Sequence, residues 1–148
     1  MSRPSWNEYF MQMAELTKTR STCLSRQVGA VIVLDKRVMT TGYNGAPKDC
    51  LTCLTEGCLR KDSPSGTNLD NCRAAHAEKN AIDQAAKFGI SINQSTLYTT
   101  LQPCTSCAKS IINSGITTVV YNGSYSDKLG IYLLRQAGIK LIQFDKED

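Results

Sequence analysis

Histidine is almost missing from this chain: His76 is the only one among 148 residues. A reaction that uses one histidine as a ligand and a second as a proton carrier is therefore excluded. Long apolar runs are missing too. None approaches the about 20 residues that a membrane-crossing helix needs, and Met1-Ser2-Arg3-Pro4 is not followed by an apolar signal core. The expectation is a protein of the cytoplasm (of the host cytoplasm if a virus encodes it), with no membrane association. Concentrated positive charge is also absent. The net charge is +4, but the lysines and arginines are scattered and no basic run exceeds two residues. Nucleic-acid binding gathers such residues on one face and is not expected here; a small anionic substrate suits the mild charge. Internal repeats are absent, which excludes a solenoid. With 41% apolar and 20% charged residues, residues 1–148 fit one globular domain with its own core.

Cysteine is what the chain has in excess. There are seven, an odd number, and without a signal core they read as thiols or metal ligands rather than disulfides.

Ser5-Trp6-Asn7-Glu8 has the form of a capping box, and Trp6, Phe10, Met13 and Ala14 share one helical face, so a first helix is expected over 6–20. Residues 28–34 and 37–42 form a hairpin turning at Asp35-Lys36. A long irregular stretch, 43–72, follows. Loops of that length in a compact domain are usually functional or tied down. A helix is expected over 73–88, capped by Gly89. Strands at 97–101, 117–121 and 139–144 alternate with helices at 103–114 and 127–137. That alternation predicts parallel pairing in the second half, because a short turn cannot return a strand in parallel. Asp145-Lys146-Glu147-Asp148 reads as a solvated tail.

Two short motifs carry chemistry: His76-Ala77-Glu78 and Pro103-Cys104-Thr105-Ser106-Cys107. Cys104 and Cys107 fall on one side of the first turn of a helix, where the helix N-terminus favours thiolates. With His76 they make three zinc ligands and leave a fourth position open, the pattern of catalytic rather than structural zinc. Glu78, two residues from His76, faces the same metal without ligating it. Since the lone histidine is spent as a ligand, Glu78 is the expected acid and base. Zinc, water and one carboxylate in this order of motifs point to hydrolytic deamination of a nucleobase. Alone, Cys-x-x-Cys would serve a redox centre equally well, and a helical glutamate is commonly a solvated residue; His76, Glu78 and Pro103 together favour zinc.

Four further cysteines, Cys50, Cys53, Cys58 and Cys72, punctuate the long loop. Four thiolates would close a tetrahedral structural zinc site and pin the insertion; the alternative is small buried apolar side chains or idle thiols. Cys23 is expected in the core.

From these residues outward the chain resembles the deoxycytidylate (dCMP) deaminases. The resemblance rests on Gln27 to Val33, Gly42-Tyr43-Asn44-Gly45-Ala46-Pro47, Cys72 to Ile82, Leu97 to Leu101 with Pro103-Cys104, and Ser114-Gly115-Ile116. It covers nearly the whole chain. It implies an α/β fold of cytidine-deaminase type, a three-layer α-β-α arrangement around a five-stranded mixed sheet. It also implies conversion of dCMP to dUMP for dTTP synthesis, activation by dCTP, inhibition by dTTP with Mg²⁺, and assembly into hexamers. Relatives of this kind can carry the second zinc in the loop region.

Within that resemblance Gly42, Tyr43, Asn44, Gly45 and Ala77 are expected to face substrate or effector. Asn44 sits in a glycine-flanked turn where an amide can serve a sugar hydroxyl, although Asn-Gly is also a plain turn dipeptide. Tyr125 is placed to pack on the base or to bond the phosphate. Arg26 leads the candidates for the phosphate, ahead of Arg20 and Lys48. A tRNA-adenosine deaminase, a cytidine deaminase and a zinc-stapled nucleic-acid module remain competing readings. The last leaves Glu78 without a role.

Overall fold

The computed structural model describes residues 2–65, 67, 68 and 71–146. Glu147 and Asp148 of the expected tail lie outside them. Helix α1 spans Trp6–Lys18, strands β1 and β2 are Gly29–Leu34 and Arg37–Tyr43, and a short α2 covers Cys53–Glu56. Then come α3 (Ala77–Phe88), β3 (Thr96–Thr99), α4 (Thr105–Asn113), β4 (Thr118–Tyr121), α5 (Lys128–Gln136) and β5 (Lys140–Gln143). The five strands form one mixed sheet in the order β2-β1-β3-β4-β5.

Period-two alternation divides the strand side chains between two layers. Ala30, Ile32, Leu97, Val119 and Tyr121 face one side, where α3, α4 and α5 contribute Ala81, Ala85, Ile111 and Leu134. Val31, Val33, Tyr98 and Val120 face the other and pack on Phe10, Met11 and Ala14 of α1. Strand β1 is buried on both faces, which is why its sequence is a continuous apolar run rather than an alternating one. The result is the expected three-layer arrangement.

Strand direction positions the site. β1 runs antiparallel to both β2 and β3, so β2 and β3 point the same way. β3, β4 and β5 are parallel to one another, as the alternation predicts. The C-terminal ends of β2, β3 and β4 therefore share one edge of the sheet, and α4 and α5 begin just beyond it. Gly42, near the end of β2, seats α3 at the same edge: a Cβ there would lie 2.2 Å from the Ala77 carbonyl oxygen and 2.6 Å from the Ala81 nitrogen. Only glycine permits so close an approach of strand to helix.

Three details depart from expectation. The helix expected from residue 73 begins at Ala77, with His76 as its extended N-cap. Arg73, Ala74 and Ala75 suit a helix, but the Ala75 N–H donates to the Gly45 carbonyl (2.8 Å) and the Gly45 N–H donates back (3.1 Å). That bridge holds the segment extended and overrides propensity. The long loop contains α2, whose four residues are too few to give a periodic signal. The C-terminal segment is not merely solvated: Phe144–Lys146 forms a 3-10 turn, and the Asp145 carboxylate accepts the Gly123 N–H at 3.0 Å.

Candidate active site

His76 caps α3 and Cys104 caps α4. Their side chains meet across 28 residues of sequence: His76 Nδ1 lies 3.5 Å from Cys104 Sγ and 3.3 Å from Cys107 Sγ. Ligands at tetrahedral angles on a zinc ion, with bonds of about 2.0 Å to nitrogen and 2.3 Å to sulfur, stand about 3.5 Å apart. Both nitrogen–sulfur distances thus already have the spacing a zinc ion imposes, and the three ligand atoms lie within 4.8 Å of one another. Two thiols and one imidazole are the donors it favours, so the residues fit the metal.

Hydrogen bonding and burial tune the cluster. The bond from the Cys107 thiol, helped by His76, brings the Cys104 thiol down to about 4, so it is a thiolate at neutral pH. The same bond, with burial, holds the Cys107 thiol above its usual range; metal binding displaces that proton. The hydrogen bond with Cys104 raises the His76 imidazole. Glu78, in the first turn of α3, is buried. Burial pushes its carboxyl up to about 7, against the pull of its own backbone N–H and of His76. It is poised to take up and return a proton near neutrality.

His76, Glu78 and Cys104 form one wall of a pocket of about 160 Å³ that Arg26, Asn44, Arg60, Gln102 and Tyr125 also line, whereas Cys107 is buried and does not line it. Ligand clefts begin at about 300 Å³, so this one can enclose only part of a ligand of ordinary size. Arg26 is exposed there. Arg20 and Lys48 do not line the pocket, and Lys48 pairs with Asp49 at 2.9 Å. Arg60, which sequence reasoning missed, reaches the pocket from the long loop with its Nε donating to the Thr67 carbonyl at 2.8 Å. Nothing in its local sequence distinguishes it from a solvated arginine. Gln102, also missed, stands between Leu101 and Pro103, where proximity to the Cys-x-x-Cys was the available signal.

Asn44 is largely a structural bracket. Its Oδ1 accepts the Val28 N–H (2.8 Å) and the Ser21 hydroxyl (2.6 Å), and its Nδ2 donates to the Arg26 carbonyl (2.7 Å). One amide proton is left for the pocket. The Asn44→Ala variant is expected to lose about 2–3 kcal/mol, because the buried Val28 N–H keeps no partner; urea unfolding measures the loss. Ala77 lines the pocket, whereas Gly42, Tyr43 and Gly45 do not. They act from behind it: Gly42 seats α3, Gly45 bridges to Ala75, and the Tyr43 carbonyl accepts from Asn80 Nδ2 at 2.8 Å.

Among the described residues, only His76, Cys104 and Cys107 bring three ligand atoms within 4.8 Å of one another. Cys50, Cys53, Cys58 and Cys72 are not gathered to that distance. Cys50 is exposed and Cys53 buried. The Cys53 thiol is raised by burial first, then by Cys58, Cys23 and Cys72 nearby, while Arg73 opposes the shift. Cys23, expected in the core, is half-buried and lines the pocket. No helix among the described residues is long and apolar enough to cross a membrane.

Known proteins are similar to this chain in sequence and in fold. Residues 4–122 match the model of the cytidine and deoxycytidylate deaminase zinc-binding region. The deoxycytidylate deaminase of Saccharomyces cerevisiae is 42% identical over 97% of this chain, which spans 46% of that protein's length. The deoxycytidylate deaminase of Mycobacterium phage D29 is 42% identical, with 82% of this chain and 97% of the phage protein covered. The dCMP deaminase of cyanophage S-TIM5, solved in complex with dCMP and dUMP, superposes with a TM-score of 0.83 at 31% identity, covering 97% of this chain and 100% of that one. Zinc-spaced ligands, a buried carboxylate beside them, and agreement in sequence and fold over most of the length place this chain in the cytidine and deoxycytidylate deaminase family.

Proposed function

We propose that this chain is a zinc-dependent dCMP deaminase domain acting in the cytoplasm, which hydrolyses dCMP to dUMP and ammonia. The observation that carries the reading is the buried Glu78 carboxyl, which lines one small pocket with His76 and Cys104, beside the converged cluster of His76, Cys104 and Cys107. The S-TIM5 relative, bound to dCMP and dUMP, supports this substrate over other nucleobases.

His76 Nδ1 and the two sulfurs would hold the zinc. Bound there, the metal supplies the Lewis acidity that makes water a nucleophile near neutral pH. Glu78 accepts a proton from the attacking water and delivers it to N3 of the cytosine ring. A second proton passes through Glu78 to the exocyclic amine as the C4–N bond breaks. One water is consumed, one ammonia leaves, and the carboxylate returns to its starting state. Tyr125 and Leu101 flank the base, the free Asn44 amide proton serves the sugar, and Arg26 with Arg60 takes the phosphate at the mouth. As in the resemblance, dCTP activation, inhibition by dTTP with Mg²⁺, and a hexamer belong to this reading.

Ammonia release from dCMP, CMP, cytidine and deoxycytidine, with and without dCTP or dTTP, tests the reading. Preference for dCMP is expected, and no turnover of dCMP by zinc-loaded protein would sink it.

A second zinc belongs to the same reading, with one change of ligand. Cys58, Cys23 and Cys72 all bear on the buried Cys53 thiol and Cys50 is exposed, so Cys23 replaces Cys50 as the fourth ligand in this reading, although neither set of four is gathered within 4.8 Å among the described residues. Zinc content should then fall from about two to about one per chain in Cys23→Ser and Cys53→Ser, but not in Cys50→Ser. About one zinc in wild type would dispose of the second site.

A further inference from the structure

Helix α4 starts with a cap that cannot cap. The first N–H groups of a helix have no partner within it, and the N-cap side chain normally accepts one. The N-cap here is Cys104, whose side chain makes no cap hydrogen bond because its sulfur faces His76 and Cys107. The Thr105 N–H, immediately after Cys104, donates instead to Asp127 Oδ2 at 2.9 Å, and the Thr105 hydroxyl donates to the same oxygen.

Asp127 is itself the N-cap of α5, its Oδ1 accepting the Leu129 N–H at 3.2 Å. One carboxylate therefore starts two helices. Gly130, one turn into α5, rests on the same strand-to-helix corner: a Cβ there would meet the Cys104 carbonyl carbon and the Thr105 nitrogen at 3.1 Å. The backbone of Asp127 is also tied to two residues that line the pocket. Its carbonyl accepts from Gln102 Nε2 at 3.1 Å, and Gln102 Oε1 accepts the Tyr125 N–H at 3.2 Å. Gln102 is buried, so these bonds compete little with water. Asp127 does not line the pocket.

We infer that Asp127 is a positioning residue: it supplies the cap that Cys104 gives up, so holding Cys104 in place for the metal, and through Gln102 it fixes the loop that brings Tyr125 to the pocket. The inference rests on the reading of His76, Cys104 and Cys107 as zinc ligands. Removal of the Thr105 contact should weaken metal binding even if both helices still form.

Asp127→Ser separates the two duties. Serine still caps α5 but is too short to reach Thr105. Zinc affinity, measured by chelator competition, is expected to fall about 10- to 100-fold, and the thiolate-to-cobalt absorption of the cobalt-loaded protein to shift. Asp127→Asn keeps one acceptor oxygen with the reach to Thr105, at the cost of an amide N–H facing the Leu129 N–H, and should restore part of the affinity. Gly130→Ala presses on the same corner without altering any cap, and it should loosen zinc while cooperative unfolding persists. Gln102→Leu should raise KM for dCMP with zinc affinity unchanged.

Wild type without a thiolate-to-cobalt band would overturn the zinc reading itself. A normal wild-type band, with Asp127→Ser binding zinc as tightly as wild type, would overturn only the role of Asp127. So would an Asp127→Asn variant no better than Asp127→Ser. Should Asp127→Ser fail to fold, Gly130→Ala decides: unchanged zinc affinity and cobalt spectrum there count against the inference.

Discussion

Turnover of dCMP by the Glu78→Gln variant is expected to fall about 10²- to 10⁴-fold, the usual worth of a positioned acid-base group, while zinc content stays that of wild type. The loss should lie toward the upper end, because Glu78 is the only carboxylate lining the pocket among the described residues and the proposed reading spends the lone histidine as a ligand. Glutamine preserves the shape and one acceptor but carries no proton to and fro. The same substitution is expected to stabilise the metal-free protein at pH 8. Burial raises Glu78 from its ordinary 4.5 to about 7, so the folded state holds the proton more tightly than the unfolded chain. Stability from this group is complete below about pH 4.5, declines as pH rises through 7, and is lost above. At about 1.4 kcal/mol per pH unit the difference is about 3 kcal/mol, which glutamine recovers because it does not ionise. Ammonia release, zinc content and urea unfolding at pH 5 and pH 8 check all three outcomes. An active variant would remove Glu78 from the mechanism. Equal unfolding free energies for wild type and variant at pH 8 would show that its burial carries no such cost.

The second large effect concerns the metal. Cys104→Ala is expected to abolish turnover by weakening zinc two to three decades, about 3–4 kcal/mol. The protein should nonetheless remain folded. Neither core cluster depends on His76 or Cys104, and the five-stranded sheet is covered on both faces without the metal. Chelation of wild type should accordingly end activity yet leave far-UV circular dichroism and a cooperative thermal transition. Loss of the far-UV signal on chelation would mean that the catalytic zinc also holds the fold together, as it does in domains too small for a core.

Much of this is legible in the sequence alone. The β1 run of apolar residues, the capping box at Ser5 and Glu8 (both of its hydrogen bonds are present), and the parallel second half follow from local periodicity and turn chemistry. The site motifs were legible for a similar reason: Cys104 and Cys107, three apart, share a face of any helix that contains them. Reading failed where distant backbone intervened. Residues 73–75 suit a helix, but the bridge to Gly45 keeps them extended. Asn44 suits a turn or a ligand, yet most of its amide is committed to Ser21, Arg26 and Val28. Arg60 resembles any solvated arginine until the loop folds back to the pocket.

The sequence by itself determined the donor set, one imidazole, two thiolates and one spare carboxylate, and the alternating strands that carry them, because residue chemistry and spacing within a helical turn are covalent properties. Only the tertiary structure decided that His76 and Cys104, 28 residues apart, meet at zinc spacing. That follows from β2 and β3 running the same way on either side of β1, which brings the starts of α3 and α4 to one edge. It also decided which residue caps α4. Once the Cys104 sulfur faces the metal site it cannot serve its own helix, and the nearest acceptor able to do so, Asp127, comes from another helix altogether.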